Sequence, residues 1–169
     1  MANYNAPGQV VIAGSPIAVA DAGEKAKELG AKRAMGLPVG GAFHTPFMAP
    51  ARDRLSKALA EVEVRAPAIP VIANVDASAR TEADEWPQLL ASQLCSPVQW
   101  RQTLYGLQEM GCSTFVELGP GTVLTGMAKR TLKDANTLSV ATPQDVDTLL
   151  AAVTDLGSLG QTDNGAGEH

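Results

Sequence analysis

One histidine in the interior of the sequence stands where it could do chemistry. His44 lies in "LPVGGAFHTPFMAPARDRLSKALAEV", residues 37–62, after an apolar run that breaks on Gly40 and Gly41 and just before a Thr-Pro step. An imidazole changes charge close to neutral pH, so it can serve as a general base. The place is suggestive as well. A residue just past the carboxyl end of a strand sits where open α/β sheets hold their ligands, and paired glycines let the backbone turn sharply or approach a bound group. A loop histidine satisfied by ordinary hydrogen bonds would fit the same position. A base also needs something to activate. The sequence contains no G-x-S-x-G nucleophile elbow; Ser15 follows Gly14 but opens a helix, with no glycine two residues on. Cys95 lies within an apolar helical stretch and reads as core.

The elements that must position His44 can be read from periodicity and punctuation. "QVVIAG", residues 9–14, is a short β-rich run ending in glycine. "SPIAVADAGEKAKELG", residues 15–30, has a Ser cap, Pro at the first helical position and a Gly stop. "KRAMGLPV", residues 32–39, predicts a strand leading to the glycine pair. From Met48 the apolar residues Met48, Ala51, Leu55, Leu59 and Val62 recur at helical spacing. "IPVIANV", residues 69–75, is a continuous apolar run, expected as a buried strand. Residues 84–95 and 99–110 predict two helices joined at Ser96 and Pro97. A strand over 113–119 then leads through "GPG" into a helix over 122–132. Two glycines around a proline are a weak phosphate-loop signal, so this is read as a structural turn. A strand over 137–141 and a helix over 143–156 follow. The polar, Gly-rich residues 157–169 predict a disordered tail. Alternating strands and helices predict an α/β fold with a mostly parallel sheet.

Composition narrows the setting. The chain has 169 residues, 45% hydrophobic and only 4% aromatic, so its core must be built mainly of Ala, Val and Leu. A net charge of -5 speaks against a general nucleic-acid surface, which needs a basic face. Cys95 and Cys112 show no metal-ligand spacing and suit a reducing compartment. The start has neither the cationic nor the apolar region of a signal peptide. No apolar run reaches the length of a membrane span, which takes about 18 residues. The cytoplasm is the expected location.

Four blocks, in this order and at these spacings, carry a family resemblance: "NYNAPGQVVIAG", "GAFHT…MAPA", "SQLCSPVQW" and "VELGPGTVLTGMAKR". Over residues 3–153 the chain resembles the carboxyl-terminal half of malonyl-CoA:acyl carrier protein transacylases and related acyltransferase domains of polyketide and fatty-acid synthases. The resemblance implies covalent acyl transfer by a Ser-His pair. A serine on a G-H-S-x-G elbow attacks the thioester, a histidine takes its proton, and the acyl group passes to the phosphopantetheine thiol of acyl carrier protein. His44 matches the family histidine. Gln93 matches the residue whose backbone carbonyl holds the other ring nitrogen. Asn5 matches a pocket asparagine, though it could equally be a turn residue before Pro7 and Gly8. Phe43 matches the position whose bulk favours malonyl over branched units, though core packing would also explain it. No metal or bound cofactor is implied; malonyl-CoA and the phosphopantetheinyl carrier protein are substrates.

The same resemblance implies partners. Acyl carrier proteins are acidic, and Lys25, Lys27, Lys32 and Arg33 form a locally basic stretch in an acidic chain. Lys32 and Arg33 are the better candidates for carrier-protein binding; a solvated charged face is the alternative. The family's elbow serine, its carboxylate-gripping arginine and its oxyanion-hole glutamine have no counterparts here. The chain is therefore expected to be a fragment, inactive alone, whose partner could be the missing amino-terminal half. The implied organisation is 1–39 as part of a small ferredoxin-like subdomain, 40–156 as the carboxyl-terminal part of an α/β hydrolase-like acyltransferase domain, and 157–169 as tail. Two other readings remain: a fragment of a Ser-His acyl-CoA thioesterase or other hydrolase, and a non-catalytic remnant or binding module.

Overall fold

The computed structural model describes residues 1–159, with side chains described through Thr154. Two compact units divide after Met110.

The first unit opens on an antiparallel hairpin that the sequence reading only half anticipated. β1 (Asn3–Ala6) pairs with β2 (Gln9–Val11) across Pro7 and Gly8, with a register shift between Tyr4 and Ala6. The other edge of β1 is also used. Asn3 bridges Val98 in parallel, Tyr4 N–H donates to the Val98 carbonyl at 2.9 Å, and Val98 N–H donates to the Ala2 carbonyl at 2.8 Å. The start of the chain is thereby tied to residues far along it. Ala2, Ala6 and Leu104 are the buried apolar residues of this contact region, where α4 packs against β1.

Helix α1 (Pro16–Glu28) begins as its sequence dictates. Ser15 accepts the N–H of Ala18, and Pro16, lacking an N–H of its own, takes a first-turn position. It buries no residue, and Ile17 stays 77% exposed. The strand expected over 32–39 is absent: the segment has no regular structure and all its side chains are exposed. Met35, Leu37 and Val39 do alternate at the two-residue period that signals a strand. A strand also needs a neighbour for its backbone N–H and C=O groups, and none of the described residues supplies one.

Beyond the site loop, a 3-10 turn (Pro46–Met48) runs into α2 (Ala49–Leu59), in register with the expected helix. The apolar run 69–75 forms only the short β3 (Val71–Ala73). It pairs antiparallel with β4 (Ser78–Arg80), a strand the sequence reading missed. Nor is the run fully buried: Ala73 is covered, but Val71 and Ile69 face solvent. Asp76 stabilises the hairpin turn by accepting the Ser78 N–H at 3.1 Å and pairing with Arg80 at 2.6 Å. Helices α3 (Trp86–Gln93) and α4 (Trp100–Glu109) flank Ser96 and Pro97.

The second unit is a strand–helix–strand–helix run. β5 (Thr114–Leu118) and β6 (Asn136–Val140) pair in parallel, α5 (Val123–Thr131) packs on both, and α6 spans Pro143–Leu159. That last helix continues three residues into the stretch expected as a tail; residues 160–169 lie outside the described residues. The "GPG" stretch is a turn, with Gly119 and Gly121 at φ 126° and 102°, a region side chains rarely tolerate. Across it Glu117 reaches the start of α5. Its carboxylate accepts the N–H of Thr125 at 2.7 Å and of Leu124 at 3.1 Å. These bonds, Thr125's first, hold the Glu117 carboxyl below its ordinary pKa. Asp145 is lowered likewise, by the Ala141 N–H and then by Thr142.

A lowered carboxylate pKa stabilises the folded state above the ordinary range, and that stabilisation is lost as pH falls through the folded value, here below about pH 4. Glu117→Gln keeps an acceptor oxygen but cannot titrate. Its melting temperature should therefore fall less steeply than the parent's as pH drops below the ordinary carboxylate range, about pH 4. Circular dichroism melts at stepped pH would show this, and identical slopes would remove Glu117 from the acid limb.

Strands and helices alternate in an α/β fold. Among the described residues, parallel pairing is confined to β5 with β6 and to the Asn3–Val98 bridge. No helix of the described residues is long and apolar enough to cross a membrane.

Candidate active site

The site is built on the loop between the unstructured 32–39 segment and the 3-10 turn. Gly41 lies against the neighbouring aromatic ring: a Cβ there would meet the edge of Phe43 at 3.4 Å, ordinary contact. Thr45 closes the loop. Its hydroxyl donates to the Ala42 carbonyl at 2.6 Å and accepts the Phe47 N–H at 3.3 Å, and the side chain is buried. Between these anchors His44 is forced to φ 63°, the left-handed region, without being glycine. Such a conformation costs on the order of 1–3 kcal/mol and persists only where its surroundings hold it.

Those surroundings are the end of α3. His44 N–H donates to the Leu94 carbonyl at 3.0 Å, and Nδ1 of the ring lies 2.9 Å from the Gln93 carbonyl. The last carbonyls of a helix have no helical partner, so two successive ones are free to take the backbone and the ring of one residue. A carbonyl can only accept. Nδ1 therefore carries the proton in this contact, and Nε2 is left as the nitrogen with a lone pair. A half-buried imidazole with Nε2 free can take a proton from a group brought to it.

The structure brings His44 and Gln93 together. Phe43, beside His44 in the chain, is 46% exposed and packs over Gly41. Asn5 is half-buried in β1, at the register shift between Tyr4 and Ala6. It belongs to the same unit, on the strand that bridges Val98. Lys32 and Arg33 are exposed in the unstructured segment, and neither forms an ion pair among the described residues. Lys25 and Lys27 are paired with Glu28 and Glu24 on α1. Cys95 is half-buried rather than core, and Cys112 is exposed. Among the described residues, no group of three or more His, Cys, Asp or Glu side chains could hold a metal ion. Two contributors escaped the sequence reading. Thr45 was passed over as a cap for the following helix, though Thr-Pro before a helical pattern is a legible cap signal. The left-handed backbone of His44 has no sequence signal.

The family model for the acyl transferase domain matches residues 1–156. The chain belongs to the acyl transferase domain family. The chain is 40% identical over 147 residues to the malonyl CoA-acyl carrier protein transacylase of Bacillus subtilis, a match covering 87% of this chain and 46% of that protein. The crystal structure of an acyl carrier protein S-malonyltransferase from Vibrio cholerae superposes with a TM-score of 0.85 at 45% identity, over 88% of this chain and 48% of that one. A malonyl-transacylase in complex with its type II PKS acyl-carrier protein gives a TM-score of 0.87 at 39% identity, over 89% of this chain and 49% of that one. The chain thus spans about half the length of the relatives it matches, 46%, 48% and 49% of the three proteins above.

Proposed function

We propose that this chain supplies the base-bearing part of a malonyl-CoA:acyl carrier protein transacylase of fatty-acid or polyketide synthesis. The observation that carries the reading is His44, held through Nδ1 by the Gln93 carbonyl at 2.9 Å with Nε2 left to accept a proton. In the first step a serine hydroxyl forms a bond to the malonyl thioester carbon as His44 Nε2 takes its proton. The carbon–sulfur bond then breaks, and the CoA thiolate leaves with the proton returned by the imidazolium. In the second step the phosphopantetheine thiol attacks the serine ester, His44 again takes the proton, and the serine recovers it on release. Proton transfer and a fixed tautomer are all that these steps ask of His44. The reading has malonyl-CoA and the phosphopantetheinyl carrier protein as substrates, no resident metal or cofactor, and the cytoplasm as the setting. Asn5 and Phe43 are assigned to the wall of the acyl pocket.

The nucleophile is to come from outside these residues, which hold no G-x-S-x-G elbow. The test pairs the chain with the amino-terminal half of a homologous transacylase and follows malonyl transfer to purified carrier protein. His44→Ala should lower the rate by at least about 100-fold, the low end of what a positioned general base contributes. Malonyl release to water in place of transfer would favour a hydrolase, and no serine ester by intact-mass spectrometry would favour a binding module.

Lys32 and Arg33 are assigned to carrier-protein encounter. Both are exposed and, among the described residues, free of ion pairs. Reversing both to Glu should raise KM for the carrier protein by about tenfold at low salt and less at high salt, since the contribution is one of long-range attraction. KM for malonyl-CoA should not move; equal changes in both would indicate a folding defect.

A further inference from the structure

We propose that the side chain of Gln93, and not only its carbonyl, positions His44: the carboxamide ties the turn 93–96 and so fixes the two carbonyls that orient the ring and select its tautomer. The turn carries a demanding task with weak backbone means. Gln93 and Leu94 offer successive carbonyls to the ring and the N–H of His44, at 2.9 and 3.0 Å. A small rotation of either peptide plane would misdirect both. Yet two of the three backbone bonds through the turn are long, Leu94 to Ala91 at 3.3 Å and Ser96 to Gln93 at 3.4 Å, and only Cys95 to Ser92, at 3.1 Å, is of ordinary length. Pro97 follows with no N–H to add another. The shortest bond closing the turn comes from a side chain, where Gln93 Nε2 donates to the Ser96 carbonyl at 2.9 Å.

The same nitrogen bears on the tautomer. It lies 3.3 Å from His44 Nδ1, so that ring nitrogen faces an acceptor at 2.9 Å and a donor at 3.3 Å, both from Gln93. Protonated, Nδ1 bonds to the carbonyl. Unprotonated, it could only accept from the amide. The carbonyl is the closer partner and the amide is held at the longer distance by its bond to Ser96, so Nδ1 keeps the proton and Nε2 keeps the lone pair. The left-handed backbone of His44 adds to the demand, because a strained residue needs its restraints intact.

This inference rests on His44 being the base, but its test reads the ring itself. The 15N-labelled chain, alone or paired with the unlabelled upstream half used in the transfer assay, is examined by two-bond proton–nitrogen correlation at about pH 9, where an imidazole is neutral. His44→Ala identifies the His44 signals, since the chain has two histidines. The parent should show the Nδ1–H form. Gln93→Met keeps the length and the backbone carbonyl but removes the amide. Loss of the 3.3 Å amide donor by itself favours Nδ1–H, so a shift of the ratio toward Nε2–H, expected at up to about tenfold, the worth of one well-made hydrogen bond, reads the loosened carbonyl alone. An unchanged ratio, or a shift toward Nδ1–H, in a folded variant overturns the proposal. Should that variant fail to fold, the parent still decides. One carboxamide proton of Gln93 must exchange with water more slowly than those of the other glutamines, and uniform exchange overturns the proposal equally. Absence of transfer activity alongside the expected ratio change would count against the transacylase reading and leave this one standing.

Discussion

Incubated by itself with malonyl-CoA and carrier protein, the 169-residue chain is expected to transfer no malonyl group above the uncatalysed rate. His44 can act only on a nucleophile within hydrogen-bond reach, roughly 2.6–3.2 Å, and no serine of the sequence stands in an elbow. A base without its nucleophile leaves little beyond background chemistry, because such groups work as a unit. The apolar surfaces give the expectation a second, physical side. In the first unit Met35, Leu37 and Val39 are 67%, 53% and 64% exposed on a segment with strand alternation and no strand partner. In the second, β5 pairs only with β6 among the described residues, and Leu118 on it is 74% exposed. Unpaired edges and apolar patches of this kind recruit other chains. The isolated chain should therefore self-associate as its concentration rises, measured by sedimentation. Adding the upstream half of a homologous transacylase should both disperse it and bring up His44-dependent transfer. Robust transfer by the chain alone, lost in His44→Ala, would mean that a nucleophile among these residues had gone unrecognised.

How far the sequence could be read depended on where each structural decision is made. Helix boundaries are local, and Ser15 with Pro16, or Ser96 with Pro97 between α3 and α4, mark them in the residues themselves. The family blocks identified His44 and Gln93 together, but the bond between them joins a ring to a backbone carbonyl, which any residue possesses. Periodicity alone could not have found it. Strands are decided by their neighbours. The segment 32–39 has the alternation of a strand and no partner, so it stays irregular, while "NYNA" and "SAR" lack β-rich patterning and become strands because a partner lies beside them. The left-handed conformation of His44 is set by the Thr45 hydroxyl and the Leu94 carbonyl acting from either side. Such a conformation is a product of tertiary closure, and it falls at the residue proposed as the base.

Replacing Phe43 with Ser, in the chain complemented by an upstream half, should raise kcat/KM for methylmalonyl-CoA relative to malonyl-CoA by about tenfold or more. The two substrates differ by one methyl group, and a methyl in an apolar pocket is worth about 1–3 kcal/mol, or roughly 10–200-fold in relative rate. The ring is well placed to impose that penalty. Phe43 is joined directly to His44, whose backbone and ring are both pinned to the end of α3, so the phenyl group cannot drift far from the base. Its 46% exposure leaves one side open to an incoming acyl group, while Gly41 supports the other. Removing the ring would open space without disturbing the Thr45 clamp, whose bonds run to Ala42 and Phe47. Gly41→Ala is the matched control. Its added methyl would meet the ring at 3.4 Å, ordinary contact, so the substrate ratio should stay near the parent's although the same loop has been altered. If Phe43→Ser left the ratio unchanged while malonyl transfer continued, the ring would not line the acyl site, and discrimination would have to come from the residues that bring the serine.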